Sequence, residues 1–399
     1  MGDAEILSDI IDKIIEERLK RHGRIFVNKE ILLPDYIPET LPHREREIRK
    51  LVEILVVGLK GERPSNILIY GLTGTGKTAV TKFVLKKLME KAPSLGARIK
   101  YAYVNTRKVD TTYRVLASIA RSLGLRIPLS GIAISEIYTR YVQALENWGG
   151  LHIIALDEID YYVKRHGDDL LYKLVRINED LENAKVAIIG ITNDINFVDT
   201  LDPRVRSSLG EEEIVFSPYD AEQLFDILWE RAQKAFVPGA VSEKIVRYCA
   251  GLAAREHGDA RRALDLLRVA GEIAERQGAN KVEIKHVIQA SREIEYGRIY
   301  QAVSTLPLHA KLVLNAIIYL VKTKGSGTTG EIYSKYKEIA MSYGYDPLTQ
   351  RRVSEIINEL DMLGLATALV VNRGRYGKTK IVKIPRELLT IMEEALGET

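Results

Sequence analysis

Hydrophobic positions along the chain follow three regimes. In the first, short unbroken apolar runs alternate with stretches of helical period. "SNILIYG", ending at Gly71, reads as a buried parallel strand, and "TAVTKFVLKKLMEKA" after it spaces Val80, Val84 and Leu88 along one helical stripe. "LHIIALDEID" (Leu151–Asp160) and "KVAIIGITND" (Lys185–Asp194) are two further apolar strands. Three such strands, each running into a polar loop, predict a doubly wound α/β sheet, which takes its ligands at the carboxyl ends of its strands. In the second regime, from Asp220 to about Ile294, the period is helical throughout. Leu224, Ile227 and Leu228 share one face behind an Asp220 N-cap, and Leu264, Leu267 and Ile273 share another. This predicts a small helical domain packed after the sheet.

The third regime is the C-terminal hundred residues. "KLVLNAIIYLVKT", "TTGEIYSKYKEIAMSYG" and "PLTQRRVSEIINELDMLGL" read as three helices, the last burying Val353, Ile356, Ile357 and Leu360. "ATALVVNRGRYGKTKIVKI" then alternates as a β-hairpin with a glycine-rich, basic tip. Three helices followed by a basic hairpin predict a winged helix-turn-helix. At the other end, Ile6, Ile10 and Ile14 repeat beside Leu7, Ile11 and Ile15, an amphipathic helix whose polar face is mixed in sign. Such a face suits docking better than membrane anchoring. The domains expected are therefore an N-terminal helix (1–24), an α/β sheet domain (25–217), a small helical domain (218–297) and a winged helix (298–399).

Composition narrows the chemistry. Cys249 is the only cysteine, which excludes disulfide frameworks and cysteine zinc sites and fits an intracellular, cytoplasmic setting. No apolar run approaches the roughly 18 residues of a membrane span. A net charge of +4 over 399 residues is too mild to identify a partner. Its distribution says more: between Leu348 and Lys383 there are 7 Lys and Arg against 3 Asp and Glu.

The chemistry gathers at the strand ends. Gly71, Gly76, Lys77 and Thr78 fit G-x-x-x-x-G-K-[ST] between a strand and a helix. In that setting the amides around Gly74, Thr75 and Gly76 wrap phosphates, Lys77 neutralises β/γ charge, and Thr78 reaches Mg²⁺. Asp157, at the tip of the next strand, is the second candidate Mg²⁺ ligand, and Glu158 beside it is placed to polarise an attacking water. Asn193, at the third tip, is a hydrogen-bonding partner for the γ-phosphate or that water. ATP and ADP are thus the expected ligands and hydrolysis the expected reaction. In the winged helix, Gln350, Arg351 and Arg352 open the third helix, where recognition helices meet base edges. Arg373, Arg375 and Lys378 offer the wing to phosphates or the minor groove, with Tyr376 beside them. A second candidate DNA surface is the extra helical stretch "RKVDTTYRVLASIARSLGLRIPLSGIAISE", capped by Asp110, with Arg114 and Arg121 seven residues apart on one stripe.

"LPHRE" (Leu41–Glu45), "GLTGTGKT", "LDEID", "GITND", "DPRVRSSL", "FSPY" and "GDARRALDLLR" together resemble the AAA+ ATPases. More narrowly they resemble the archaeal replication initiators, single-chain relatives of the eukaryotic origin recognition complex and its loading ATPase. The resemblance runs from about residue 25 to the C-terminus. It implies an AAA+ P-loop parallel sheet with a helical lid and a C-terminal winged helix. It further implies that "LPHRE" lines the adenine end of the pocket, that Tyr219 and Arg231 contact nucleotide, and that Arg261 reaches the phosphates from the lid. Arg204, with Arg206 as the alternative, would be an arginine finger offered to a neighbouring subunit. The helical stretch near Arg114 would contact duplex DNA. The function implied is an ATP-dependent initiator that binds origin duplex DNA and helps recruit or load the replicative helicase. Slow ATP hydrolysis would act as a switch, with other copies or paralogues as partners in the nucleoid. A protein-remodelling or clamp-loader-like motor and an ATP-regulated transcription factor are the alternatives.

Overall fold

The structure, a computed structural model, describes residues 25–34, 36, 38–372 and 378–397; the helix expected over 1–24 lies outside them. The chain parts into two compact units between Val287 and Ile288. In the first, helix α1 (Glu45–Leu55) precedes strand β1 (Ile67–Gly71) and helix α2 (Lys77–Lys91). Strand β2 (Ile99–Asn105), helices α3 (Thr112–Ser122) and α4 (Ile134–Trp148), and strand β3 (Leu151–Asp157) follow. Helices α5 (Ile159–His166) and α6 (Asp169–Arg176), strand β4 (Lys185–Thr192), helix α7 (Pro203–Leu209) and strand β5 (Glu212–Phe216) complete the sheet domain.

All five strands are parallel, in the order β2-β3-β4-β1-β5. Every residue of β3 is buried, as helices on both faces of a parallel sheet require. Val80, Val84 and Leu88 are buried against one face, and α3 and α4 cover the other. Register sets Asn105 beside Asp157 and Tyr70 beside Thr192. The carboxyl ends of the strands, with the glycine loop and Asn193, therefore share one edge.

Two expectations change here. The stretch from Arg107 to Glu136 is no purely superficial insertion: α3 buries Val115, Leu116, Ile119 and Ala120 in the core beside β2. Its cap is Thr111, whose extended backbone lets its hydroxyl accept from the Arg114 amide, and not Asp110. The Asp110 carboxylate instead meets the Arg114 guanidinium at 3.4 Å.

The lid continues the first unit with helices α8 (Ala221–Ala235), α9 (Glu243–Arg255) and α10 (Ala260–Arg276). Asp220 caps α8 in a reciprocal capping box with Gln223. Leu224 and Leu228 are buried below it, and so are Leu264, Leu267 and Ile273 on α10. The described chain begins as a strap on this lid: Phe26 bridges Phe236, and the Val27 amide donates to the Ala235 carbonyl at 2.8 Å. Helix α11 (Ile284–Ser304) follows.

The second unit contains helices α12 (Leu308–Lys324), α13 (Thr329–Ser342) and α14 (Gln350–Met362), with strand β6 (Gly327–Thr328) between the first two. Strands β7 (Thr367–Asn372) and β8 (Lys378–Lys383) pair antiparallel, with β6 on the far side of β8. Helix α15 (Arg386–Gly397) closes the unit and was not anticipated from the pattern. Val353, Ile356, Ile357 and Leu360 are all buried, as expected. Tyr336 pins the turn before α14 by accepting from the Leu348 amide at 3.0 Å. No helix of the described residues is long and apolar enough to cross a membrane.

Candidate functional site

A cavity of about 360 Å³ opens at the carboxyl edge of the sheet, between the glycine loop and the lid. Its floor includes Gly74, Thr75 and Gly76 of the glycine loop. Gly74 takes φ +73° and Gly76 φ +92°, in the left-handed region that favours glycine. A β-carbon on Gly74 would sit 1.7 Å from the Asp259 carboxylate, and one on Gly76 would sit 2.8 Å from the Tyr219 hydroxyl. The loop is therefore pressed against the lid. The Ala260 amide donates to the Gly74 carbonyl at 3.2 Å, and Asp259 caps α10 through the amides of Arg261 and Arg262.

Lys77 begins α2 and is buried, its ammonium donating to the carbonyls of Gly71 and Leu72 (2.7 Å each) and to Asn193 Oδ1 (2.9 Å). Burial lowers its pKa to about 8, against the pull of Asp157; Arg261 across the cavity adds to the lowering. Thr78, the next residue, donates to Asp157 Oδ2 at 2.7 Å. The same oxygen accepts from the Tyr103 hydroxyl, and Asp157 Oδ1 accepts from the Glu158 amide at 2.9 Å. Burial, then the Asp157 charge, push the Tyr103 phenol above its ordinary value. Glu158 stands at φ +56°, a left-handed turn that sends its carboxylate sideways to Asn105 Nδ2 (3.1 Å) and to Arg107 (3.4 Å).

The upper wall comes from the lid and the "LPHRE" segment. Tyr219, Arg231 and Arg261 all line the cavity, with Pro38, Leu41 and Ile227. The Arg231 guanidinium donates to the carbonyls of Ile31 (2.6 Å) and Tyr36 (3.4 Å) and lies over the Tyr36 ring, which fixes the strap against the lid. Arg261 is exposed and forms no ion pair among the described residues, so it is available to a ligand. Arg44 was not singled out from the sequence. It is 3% exposed and donates to the carbonyls of Thr75 (2.9 Å) and Ser217 (2.7 Å), with its guanidinium 3.8 Å over the Tyr219 ring. It ties the loop to the point where the chain leaves the sheet for the lid. Tyr103 and Asn105 were also missed; both stand on β2.

Arg204 and Arg206 lie away from this cavity. Arg204 pairs with both oxygens of Asp202 at 3.0 Å and covers the Tyr172 ring, and Arg206 meets Asp199 at 3.0 Å. Both are exposed. Arg114 is exposed beside Asp110, whereas Arg121 turns back to the carbonyls of Ile127 (2.8 Å) and Pro128 (3.3 Å), bracing the loop after α3. On α14, Gln350, Arg351 and Arg352 are exposed at the first turn, behind a Thr349 cap. Arg352 pairs with Glu355 (3.0 Å) and Glu359 (3.2 Å), leaving Arg351 as the less restrained of the two cations. Arg373 and Arg375 lie outside the described residues, as does the Lys378 side chain.

Comparison with known proteins matches three stretches of the chain. Residues 67–218 match the family model "ATPase family associated with various cellular activities (AAA)". Residues 225–292 match "Cdc6 AAA+ ATPase-type lid domain", and residues 301–394 match "CDC6, C terminal winged helix domain". The ORC1-type DNA replication protein of Desulfurococcus amylolyticus is 63% identical over 98% of this chain and 99% of its own length. The chain belongs to the ORC1-type DNA replication proteins. Among solved structures, this ORC1-type chain resembles the Aeropyrum pernix ORC1 protein in complex with DNA, with a TM-score of 0.85 and 53% identity over 94% of this chain and 98% of that one. The Cdc6p structure from Pyrobaculum aerophilum matches with a TM-score of 0.61 and 26% identity over 94% and 99% of the two chains. As an ORC1-type protein it is a nucleotide-binding AAA ATPase with a lid and a winged helix.

Proposed function

We propose that this protein initiates DNA replication by binding origin duplex DNA, and that ATP bound at the glycine loop switches its conformation to control recruitment or loading of the replicative helicase. The observation that carries the reading is its 53% identity, over 94% of its length, with a protein whose structure was solved in complex with DNA. Gln350, Arg351 and Arg352, exposed at the start of α14, are the groups that would meet base edges. Arg373, Arg375 and Lys378 would hold the backbone from the wing, and Arg114 would serve the second surface, with Arg121 bracing the loop beside it.

In the nucleotide pocket, Lys77 would neutralise β- and γ-phosphate charge and Asn193 would orient the γ-phosphate or water. Arg261 would approach from the lid, and Tyr219 and Arg231 would bound the nucleoside end. No cluster of three or more His, Cys, Asp or Glu side chains suited to a metal occurs among the described residues. The Thr78 hydroxyl and Asp157 carboxylate, 2.7 Å apart, nevertheless fit a Mg²⁺ that arrives with phosphate and water as its other ligands. Such an ion supplies charge neutralisation to the phosphate oxygens. Arg204 or Arg206, exposed and outside the chain's own pocket, would reach the nucleotide of a neighbouring copy or paralogue. Because the loop, Asp259 and Tyr219 are packed together, a nucleotide that moves the loop would move the lid. That coupling supports the switch.

The test is selection of bound fragments from the host genome at moderate salt with competitor DNA. Wild type should enrich a few discrete loci, and Arg351→Ala should weaken them by about 1–3 kcal/mol and relax specificity at one base position. Binding that is uniform across fragments and simply fades with salt would overturn the reading.

A further inference from the structure

We propose that Tyr103 is a positioning residue that sets the pocket's affinity for the divalent ion of the bound nucleotide. The inference rests on the proposed Thr78–Asp157 ion site and assigns it a third participant. Asp157 Oδ1 is held by the Glu158 amide at 2.9 Å, and Oδ2 by two hydroxyls, Thr78 at 2.7 Å and Tyr103. Thr78 is itself a proposed ligand and must turn its oxygen toward the ion. Tyr103 is then the side-chain donor that remains on the carboxylate.

Its place in the fold suits that task. Tyr103 stands opposite Ala155 on the neighbouring strand, two residues before the Asn105–Asp157 pair, so its ring lies along the cavity wall under the carboxylate. Lys82, one turn into α2, rests its ammonium 4.2 Å over the ring and fixes the ring plane. The phenol is thus braced on a strand and clamped by a helix packed against the sheet. A carboxylate that must offer one oxygen to an ion without swinging gains from such a fixed donor, as outer partners of metal ligands generally show.

The experiment uses full-length Tyr103→Phe, which keeps the ring and its Lys82 contact and removes only the hydroxyl. Mn²⁺ binding to the protein–ADP complex is titrated by electron paramagnetic resonance, and fluorescent ADP affinity is measured separately in EDTA. Mn²⁺ affinity should fall about ten-fold or more while ADP affinity in EDTA stays at the wild-type value. Unchanged Mn²⁺ affinity would overturn the proposal. So would an equal loss with and without metal, which would make Tyr103 a wall of the pocket only. Asp157→Asn, run alongside, should lose Mn²⁺ binding. If it does not, the ion site itself is wrong and Tyr103 falls with it; if it does and Tyr103→Phe changes nothing, only the role of Tyr103 falls.

Discussion

Lys77→Ala should bind ATP and ADP at least about thirty-fold more weakly than wild type does. The ammonium is buried at the start of α2 and satisfied by two loop carbonyls and Asn193. Those contacts hold it aimed into the cavity, so a phosphate meets a pre-positioned cation whose desolvation has already occurred. Truncating one partner of a buried, hydrogen-bonded charge pair costs roughly 2–5 kcal/mol, so Kd should rise about thirty-fold at the least. Calorimetric titration of both proteins decides it, and tight ATP binding by the variant would remove the pocket assignment.

The same lysine makes binding depend on pH. Burial holds its pKa near 8, and a bound phosphate favours the charged form and raises it. The bound state therefore takes up a proton that the free state loses above pH 8. Affinity should be flat below about pH 7 and fall as pH rises through 8, approaching about ten-fold per pH unit. A wild-type affinity that stays constant to high pH would mean that Lys77 does not carry the phosphate charge.

What the sequence revealed, and what it hid, follows the burial of the strands. β1, β3 and β4 lie inside the sheet and are covered on both faces, so they read as unbroken apolar runs, and the residues at their ends (Lys77, Asp157, Glu158, Asn193) came with them. β2 and β5 are the sheet's two edges. "IKYAYVN" interleaves lysine and tyrosine with its buried positions, and "EEIVF" buries only Ile214 and Phe216. Neither makes a run, and Tyr103 and Asn105 went unread with β2. Arg44 was hidden for another reason. Nothing local marks a buried arginine whose partners are the carbonyls of Thr75 and Ser217, 31 and 173 residues away. The winged helix was legible because α14 keeps a strict helical stripe. α15 follows Pro385 and lies beyond the hairpin, the last element the pattern predicts.

Glu158→Gln should bind ATP as wild type does and hydrolyse it about 100-fold more slowly or worse, the usual contribution of a positioned general base. The substitution keeps the volume, the left-handed backbone at φ +56°, and an oxygen for Asn105 Nδ2 at 3.1 Å. It leaves Asp157, Thr78 and Lys77 untouched, so the binding half of the site stays intact. What it removes is the carboxylate's capacity to accept a proton from water. In the structure that carboxylate is turned toward Asn105 and the exposed Arg107, so it must leave them before it acts. The Arg107 contact is solvent-exposed and weak, which makes Asn105 the principal restraint. Binding by fluorescent nucleotide and turnover by phosphate release separate the outcomes. Preserved binding with collapsed turnover fits a base, whereas undiminished turnover would strip Glu158 of that role. A parallel loss of both would mean that the side chain shapes the pocket and not the reaction.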